Sequence, residues 1–483
     1  MIHNFQGKSE TIKSLFSEYI NKNRWILVCG LAFYLLTAWF NVGIIASDDY
    51  EFGIARIVPA QNWTALEIIN ISGIRSPIPN LVLYAFTKLA YCLGIVDPVT
   101  QLRVALLFVG FFSYSVYSIL CFLFFRQDKG KSTVAIFLLS FYFLAPMIFT
   151  RPLIENLSAP FLLVSCWAAC EYFKTIKIGD LLLSLIALSF ACMFRFQVSV
   201  CALVLVVIVV LKRKWKHLLI LGLAGVFSIF LTGVLDWIYK GGLHASFLAY
   251  TKYQAGNIQR FGAQPVYVFV ALFLGLSMPP LLFQRYHDFS WRRSFGHLIP
   301  ALMFLSVFVI SHSVVVHKEE RFMVPVLPIF FILVTPLALY TWRNSRLRRN
   351  IFLVLNFLLL PLASFNAPQT NLIESARFVA ANPQFQVVTG VGGTLFNFPE
   401  AFIPRKVEIV QVSEESFKNR NDVACGEIVL VRKDIRETIE RFNQLNFLGS
   451  AEPGLLEQLV IYLNPKQNKR RSRIEFYSNP SCL

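Results

Sequence analysis

The chain has 483 residues, 56% of them apolar and 15% charged, with a formal net charge of +17. A soluble globular chain is closer to a quarter charged. Here the apolar residues come in blocks near the ~20 residues that cross a bilayer core, which excludes an ordinary soluble domain. The basic excess falls in short clusters between those blocks, Lys212-Arg213-Lys214, Arg292-Arg293 and Arg343 to Arg349. That is the pattern of membrane topology, with basic loops facing the cytoplasm, and it argues against nucleic-acid binding.

In chain order, residues 1–24 are polar and basic, carry no cleavable leader pattern, and read as a cytoplasmic segment. The first span, 25–46, leads outward to the acidic run Ser47-Asp48-Asp49-Tyr50-Glu51. Adjacent carboxylates repel, so one is held protonated to higher pH, and a carboxylate poised in this way serves as a general base or binds a divalent metal. An acidic helix cap is the plain alternative. Apolar candidates follow at 78–96, 103–125, 132–149, 154–173 and 180–211. Counting 180–211 as one interrupted pass gives about 11 spans and satisfies both ends of the chain. It also puts the basic stretch 126–131 outside, against the charge rule.

Charges inside apolar stretches are expensive and mark function by default. Arg195, with Gln197, interrupts 180–211, and Arg151 and Glu155 form a weaker pair before it. An arginine here either snorkels to the interface or meets a carboxylate or phosphate in the bundle. Beyond the inside cluster Lys212 to His217, the span 218–238 runs out to an external loop, 236–264, containing Asp236, Tyr239, Lys240, His244, Tyr250, Asn257 and Arg260. The spans 265–284 and 298–316 flank the basic loop 285–297. His317-Lys318-Glu319-Glu320-Arg321-Phe322 then separates two spans on the external side. Its cations suit an anion, with the glutamates orienting them, unless the block is an interfacial charge cluster. The span 323–342, the basic cluster up to Arg349 and a last span at 350–366 leave the tail, 367–483, outside.

The tail has β-like runs at 386–389, 427–431 and 458–463, and a polar helical pattern at 434–445. It reads as a small α/β domain. Its Gly390-Val-Gly-Gly393 reads as a strand-to-loop connection, since no phosphate-binding lysine pattern follows. The nine cysteines are scattered and form no C-x-x-C pair, which predicts neither a zinc site nor a disulfide framework.

Taken together, the polar groups resemble glycosyltransferase family 22, the multi-spanning mannosyltransferases of N-glycan and GPI-anchor assembly. The block from His317 to Phe322 is similar to the family's H-K-E-E-R-F signature. Ser47-Asp48-Asp49 resembles its P-D-E, and Gly73-Ile74-Arg75-Ser76 its G-I-R-S. Asp236, Tyr239 and Gly241, followed by Asn257 and Gly262-x-x-Pro265, resemble its D-x-x-Y-x-G loop. The family's histidine before the acidic pair is Ala46 here, its Asp-Glu is Asp-Asp, and its R-x-x-S-N is met only loosely by Arg151 to Asn156. The resemblance covers roughly residues 25–345 and leaves the tail unmatched.

The resemblance implies a GT-C fold: an α-helical polytopic membrane protein of about 11 transmembrane helices. A cytoplasmic segment 1–24, a catalytic module 25–366 and an extracytoplasmic α/β domain 367–483 are expected. It implies an inverting transferase that moves a sugar, mannose in the family, from a polyprenyl- or dolichyl-phosphate donor to a lipid-linked or cell-surface glycan. Asp48 or Asp49 is the expected base. His317, Lys318, Arg321 and Arg195 are expected to bind the donor phosphate. Arg75, Asp236, Tyr239, His244, Asn257, Arg260, Glu319 and Glu320 are expected to line the substrate. No cofactor is implied, although the acidic pair leaves metal dependence open. An ion-coupled transporter or flippase for a glycolipid is the rival, since intramembrane charges serve there too. The sequons at Asn62 and Asn70, inside the first external loop, favour a bacterial inner membrane over the endoplasmic reticulum.

Overall fold

A computed structural model describes residues 2–44, 50, 54–57, 67, 75–257, 263–277, 281, 284–420, 422–464 and 471–482. The chain forms two compact units: residues 1–38, 72–79 and 107–360 in one, and 39–71, 80–106 and 361–483 in the other.

The first unit is helical and apolar. Six helical segments of the described chain are long and apolar enough to cross a membrane: Lys13–Phe40, Pro98–Phe124, Trp215–Lys240, Trp291–Val314, Glu320–Asn344 and Arg346–Ala381. Leu219, Leu223, Val226, Phe227 and Phe230 lie exposed along Trp215–Lys240. Such a surface is unstable in water and matched to lipid. Helices Ile154–Thr175 and Ile178–Phe194 pack closely through small residues. Ser184 Oγ reaches Ser165 Oγ at 3.0 Å and donates to Ser165 O at 2.8 Å, the kind of small, polar contact that joins helices in lipid.

The stretch 180–211 is not one interrupted pass. It is two helices, Ile178–Phe194 and Ala202–Leu211, the second entered through a 3-10 turn at Phe196–Cys201. Arg195 stands between them in an extended conformation (φ −146°, ψ 109°). No glycine or proline marks this break, and Arg195 is held there by tertiary contacts.

The basic stretch 126–131 lies with the other basic loops, which corrects its expected external position. Lys129 pairs with Glu18 of the N-terminal helix, and Arg126 and Lys174 share Glu171 at 3.1 and 2.8 Å. Tyr172 Oη meets His217 Nδ1 at 2.9 Å, and Lys212 sits 3.7 Å from the Phe173 ring centroid. Asp128 caps the helix Lys129–Phe141, accepting from Lys131 N. The expected position of 126–131 rested on taking 180–211 as a single pass and 78–96 as a span. The helix there, Ile78–Cys92, has 15 residues, short of the ~20 a bilayer needs.

The second unit contains a five-stranded sheet in the order β2-β1-β3-β5-β4: Val387–Val391 (β1), Glu408–Val412 (β2), Glu427–Arg432 (β3), Asn446–Ala451 (β4) and Ile474–Ser478 (β5). β1 runs parallel to β2 and β3, whereas β5 is antiparallel to β3 and β4. The run at 458–463, expected to be a strand, is the helix Leu455–Leu463, whose apolar residues at 455, 456, 459, 460 and 463 follow helical spacing. The helical pattern at 434–445 resolves into the short turns Lys433–Arg436 and Glu440–Gln444. Gly392 and Gly393 hold φ of 60° and 78° at the end of β1, so backbone conformation alone accounts for that glycine pair. Cys425 and Cys482 form a disulfide. Scattered spacing could not reveal it, because its partners are 57 residues apart. The seven free cysteines all lie in the helical segments before residue 202.

The same unit fastens the chain before and after the pair Asp48-Asp49. Asn41 Nδ2 donates to Ala363 O at 3.1 Å, and Ile44 N to Pro368 O at 3.1 Å. Gly43 lies so close to Pro368 that an added Cβ would come within 2.3 Å of its nitrogen. Tyr50 is buried, and its Oη accepts from Ala401 N at 3.2 Å.

Candidate active site

Opposite the basic loops, the first unit gathers most of the expected site residues into one connected set. Helix Trp215–Lys240 ends at Gly241 in a left-handed cap (φ 73°), and the chain turns back into helix Ala245–Asn257. Asp236 holds this turn: its buried carboxylate accepts from Ser246 N at 2.7 Å and from Ser246 Oγ at 2.8 Å. A carboxylate at a helix N-terminus satisfies otherwise unpaired amides. His244 packs against Gly233, where a Cβ would lie 2.5 Å from its Nε2. Lys240 Nζ donates to Arg75 O at 2.6 Å, and Ser246 Oγ lies 3.3 Å from the same carbonyl. Arg75 and the Asp236 loop are thereby joined, by a contact that spans 165 residues of sequence. Tyr239 and His244 are half-buried beside them.

The helix after this turn reaches the break at Arg195. Gln197 Nε2 donates to Tyr250 Oη at 2.6 Å, and Phe196 lies edge-on to Phe247 at 5.7 Å. Arg195 is buried. Its guanidinium pairs with the equally buried Glu155 and lies 5.0 Å from the centroid of Phe322. Its Nε and Nη2 find no hydrogen-bond partner among the described residues. The same holds for Glu155 Oε2 and for Nε2 of buried His312, whose ring stacks on Phe308 at 4.1 Å.

The block 317–322 meets Arg195 through Phe322. Glu319 bridges its neighbours, accepting from Arg321 Nε at 2.5 Å and lying 2.9 Å from His317 Nε2. Burial pushes the Glu319 carboxyl up, but the hydrogen bonds and charges of Arg321 and His317 outweigh it and hold it below the ordinary range. Glu319 is thus the orienting group of the block, while Glu320 is exposed. Lys318 is buried, and its Nζ donates to Gln264 O at 3.0 Å and Val315 O at 2.6 Å. One of its three donors therefore clamps the 264 loop, and a second ties back to its own segment at Val315.

Arg195, Arg75, Asp236, Tyr239, His244, His317, Lys318, Glu319, Glu320 and Arg321 therefore belong to the one unit, and the contacts above connect most of them. Asp48, Asp49, Arg260 and the side chain of Asn257 lie outside the described residues, as do Gly73 and both sequons. Among the described residues no three His, Cys, Asp or Glu side chains converge as metal ligands. Sequence reasoning paired Glu155 with Arg151; the structure pairs it with Arg195. It also passed over His312, whose signal was an ionisable side chain in the last turn of an apolar span.

A family model described as the Alg9-like mannosyltransferase family matches residues 61–391. None of the curated proteins matches the chain. Among solved structures, ArnT from Cupriavidus metallidurans aligns in its undecaprenyl-phosphate-bound and apo states alike. Each shares 12% identity and a TM-score of 0.57, over 96% of this chain and 99% of that one. The oligosaccharyltransferase of Archaeoglobus fulgidus, solved with Zn and sulfate, aligns at 12% identity and a TM-score of 0.43, over 84% of this chain and 68% of that one. With ArnT the likeness is one of fold.

Proposed function

Since this chain belongs to the Alg9-like mannosyltransferase family and is a multi-pass membrane glycosyltransferase, we propose that it moves mannose from a polyprenyl-phosphate donor to a lipid-linked or cell-surface glycan on the extracytoplasmic face. The observation that carries this reading is Arg195. Its buried guanidinium has two donor atoms left over after the Glu155 pair. A buried donor without an acceptor costs roughly 1–3 kcal/mol, and more when charged. A phosphate oxygen supplies the matching acceptor, and ArnT, which shares the fold, is recorded with undecaprenyl phosphate bound.

In this reading Arg195, His317 and Arg321, with Lys318 clamping the loop beneath, stabilise the phosphate as it leaves. Cations fixed in a low-dielectric site act most strongly where charge develops. Asp48 or Asp49, matched to the family's acidic pair, takes the proton of the acceptor hydroxyl. The freed oxygen bonds to the anomeric carbon as the bond from that carbon to the phosphate oxygen breaks, so configuration inverts and polyprenyl phosphate departs. Arg75, Asp236, Tyr239, His244, Asn257, Arg260, Glu319 and Glu320 shape the sugar and acceptor sites.

A disulfide between Cys425 and Cys482 suits an oxidising compartment, which supports an extracytoplasmic tail in either a bacterial inner membrane or the endoplasmic reticulum. The transporter reading has one observation in its favour, the helix broken at Arg195. Purified protein with radiolabelled polyprenyl-phosphate mannose and a glycolipid extract separates the two. Labelled glycolipid is expected; label that only crosses the bilayer, still on its carrier, would establish the transporter.

A further inference from the structure

The edge of the sheet in the second unit carries a cleft of about 440 Å³ that no step above uses, lined by Arg436, Asn443, Phe447, Glu475 and Tyr477 among others. That size falls within the ~300–1,000 Å³ typical of small-ligand sites. Its floor is aromatic: buried Tyr477 on β5 and buried Phe442 pack at 5.0 Å. Phe447 of the edge strand β4 pairs with Tyr477 across the ladder, 5.6 Å from its ring, yet remains 49% exposed. The register between β4 and β5 shifts at Leu448, between Phe447 and Gly449. The bulge sets Phe447 opposite Tyr477 instead of one residue out of step, which would turn the ring to the other face. A large apolar ring held half in water on a fixed backbone is a ledge without a partner.

The wall beside it is polar and fixed. Arg436 donates from Nε to Tyr477 Oη at 3.2 Å and from Nη2 to Asn443 Oδ1 at 3.1 Å. Tyr477 Oη donates onward to Glu475 Oε2 at 2.7 Å. Lys433 and Arg436 are balanced by Glu437 and Glu475, so the lining has no net charge. A neutral lining disfavours phosphates, nucleotides and polycations. A flat apolar ring beside oriented donors and acceptors matches a ligand with one C–H face and many hydroxyls.

We propose that this cleft binds a neutral oligosaccharide, with a sugar ring lying on Phe447 and its hydroxyls meeting Arg436, Asn443 and Glu475. The proposal rests on the reading of the chain as a glycan-elongating enzyme, because such an enzyme has a growing sugar chain to hold. An extended peptide adding to the β4 edge is the competing occupant.

The test uses full-length protein in nanodiscs and a soluble linear manno-oligosaccharide, with binding measured by titration calorimetry and saturation-transfer NMR. Saturable binding is expected, weakened at least 10-fold in Phe447→Ala and in Arg436→Ala, and kept within threefold in Phe447→Tyr. Thermal unfolding checks that each variant is folded. Absence of saturable binding, or equal affinity in folded Phe447→Ala, overturns the proposal, as does a cleft that takes an extended peptide but no sugar. Transfer from the labelled donor is measured on the same preparations. Loss of transfer with binding intact counts against the enzyme reading alone, and intact transfer without binding against the cleft alone.

Discussion

Replacing Glu155 by glutamine removes the counter-charge from a guanidinium that has almost no contact with solvent. Both side chains of the pair are 2% exposed. Breaking a buried pair from one side costs about 3–5 kcal/mol, because an uncompensated charge stays behind. At 1.4 kcal/mol per tenfold, that is a loss of roughly 10²- to 10³-fold or more in the folded-to-unfolded ratio. Replacing Arg195 by glutamine in the same protein leaves no charge and is expected to recover most of that loss. Activity should not recover with it, since the donor phosphate would have lost a buried cation, a change worth about 10²–10³ in turnover. Equilibrium unfolding in lipid-like bicelles and donor turnover, measured on both variants, give the two readouts. A Glu155→Gln penalty below about 1 kcal/mol would show that water reaches the pair. Normal turnover in the stable double variant would remove Arg195 from the donor site.

Asp48→Asn or Asp49→Asn is expected to lower turnover by about 10²–10⁴, the usual range for loss of a general base, with folding unchanged; wild-type rates in both would discard the acidic pair. Arg321→Ala should weaken donor binding by about 1.5–3 kcal/mol, with lysine restoring part of it because it lacks the planar fork; a titration with donor lipid decides. The Glu319 carboxyl is held below its ordinary value of 4.5, so its contribution is complete above that pH and is lost as pH falls through the lower, folded value. Stability of the wild type should therefore fall on acidification more than that of Glu319→Gln, and parallel pH profiles would refute the bridge. Cys425→Ser with Cys482→Ser should destabilise the sheet domain by about 2–5 kcal/mol, given a 57-residue loop. Maleimide should label this pair only after reduction.

The membrane character was legible because hydropathy needs no tertiary information. The block 317–322 was legible for the same reason: charges between two apolar spans have few explanations. Arg195 was visible as an anomaly, but its partner was not. Glu155 lies 40 residues away, and only the packing of helix Ile154–Thr175 against Ile178–Phe194 brings the two together. The interruption at Arg195 was visible, but no glycine or proline marks it as a reversal between two helices, and counting 180–211 as one pass together with 78–96 as a span displaced the loop at 126–131. In the tail, Leu455–Leu463 misled because Val460, Ile461 and Tyr462 favour strands locally, whereas the spacing of its leucines favoured a helix. β4 was hidden by its bulge, which spoils the alternation a strand otherwise shows.

The fastening of residues 41–44 and 50 has a consequence for how the protein is made. The partners of Asn41 and Tyr50 lie 322 and 351 residues further along the chain. Chains are synthesised from the N-terminus at about 5–20 residues per second, so the stretch carrying Asp48 and Asp49 emerges early and waits tens of seconds for the partners that fix its flanks. The helices between residues 78 and 365 are all made in that interval. Folding of the sheet domain, the last part of the chain to be made, is then also the step that fastens residues 41–44 and 50. A chain that stalls or is cleaved before residue 363 lacks every one of these anchors, so an unfinished copy leaves the stretch from 41 to 50 without the contacts that fix it in the complete protein.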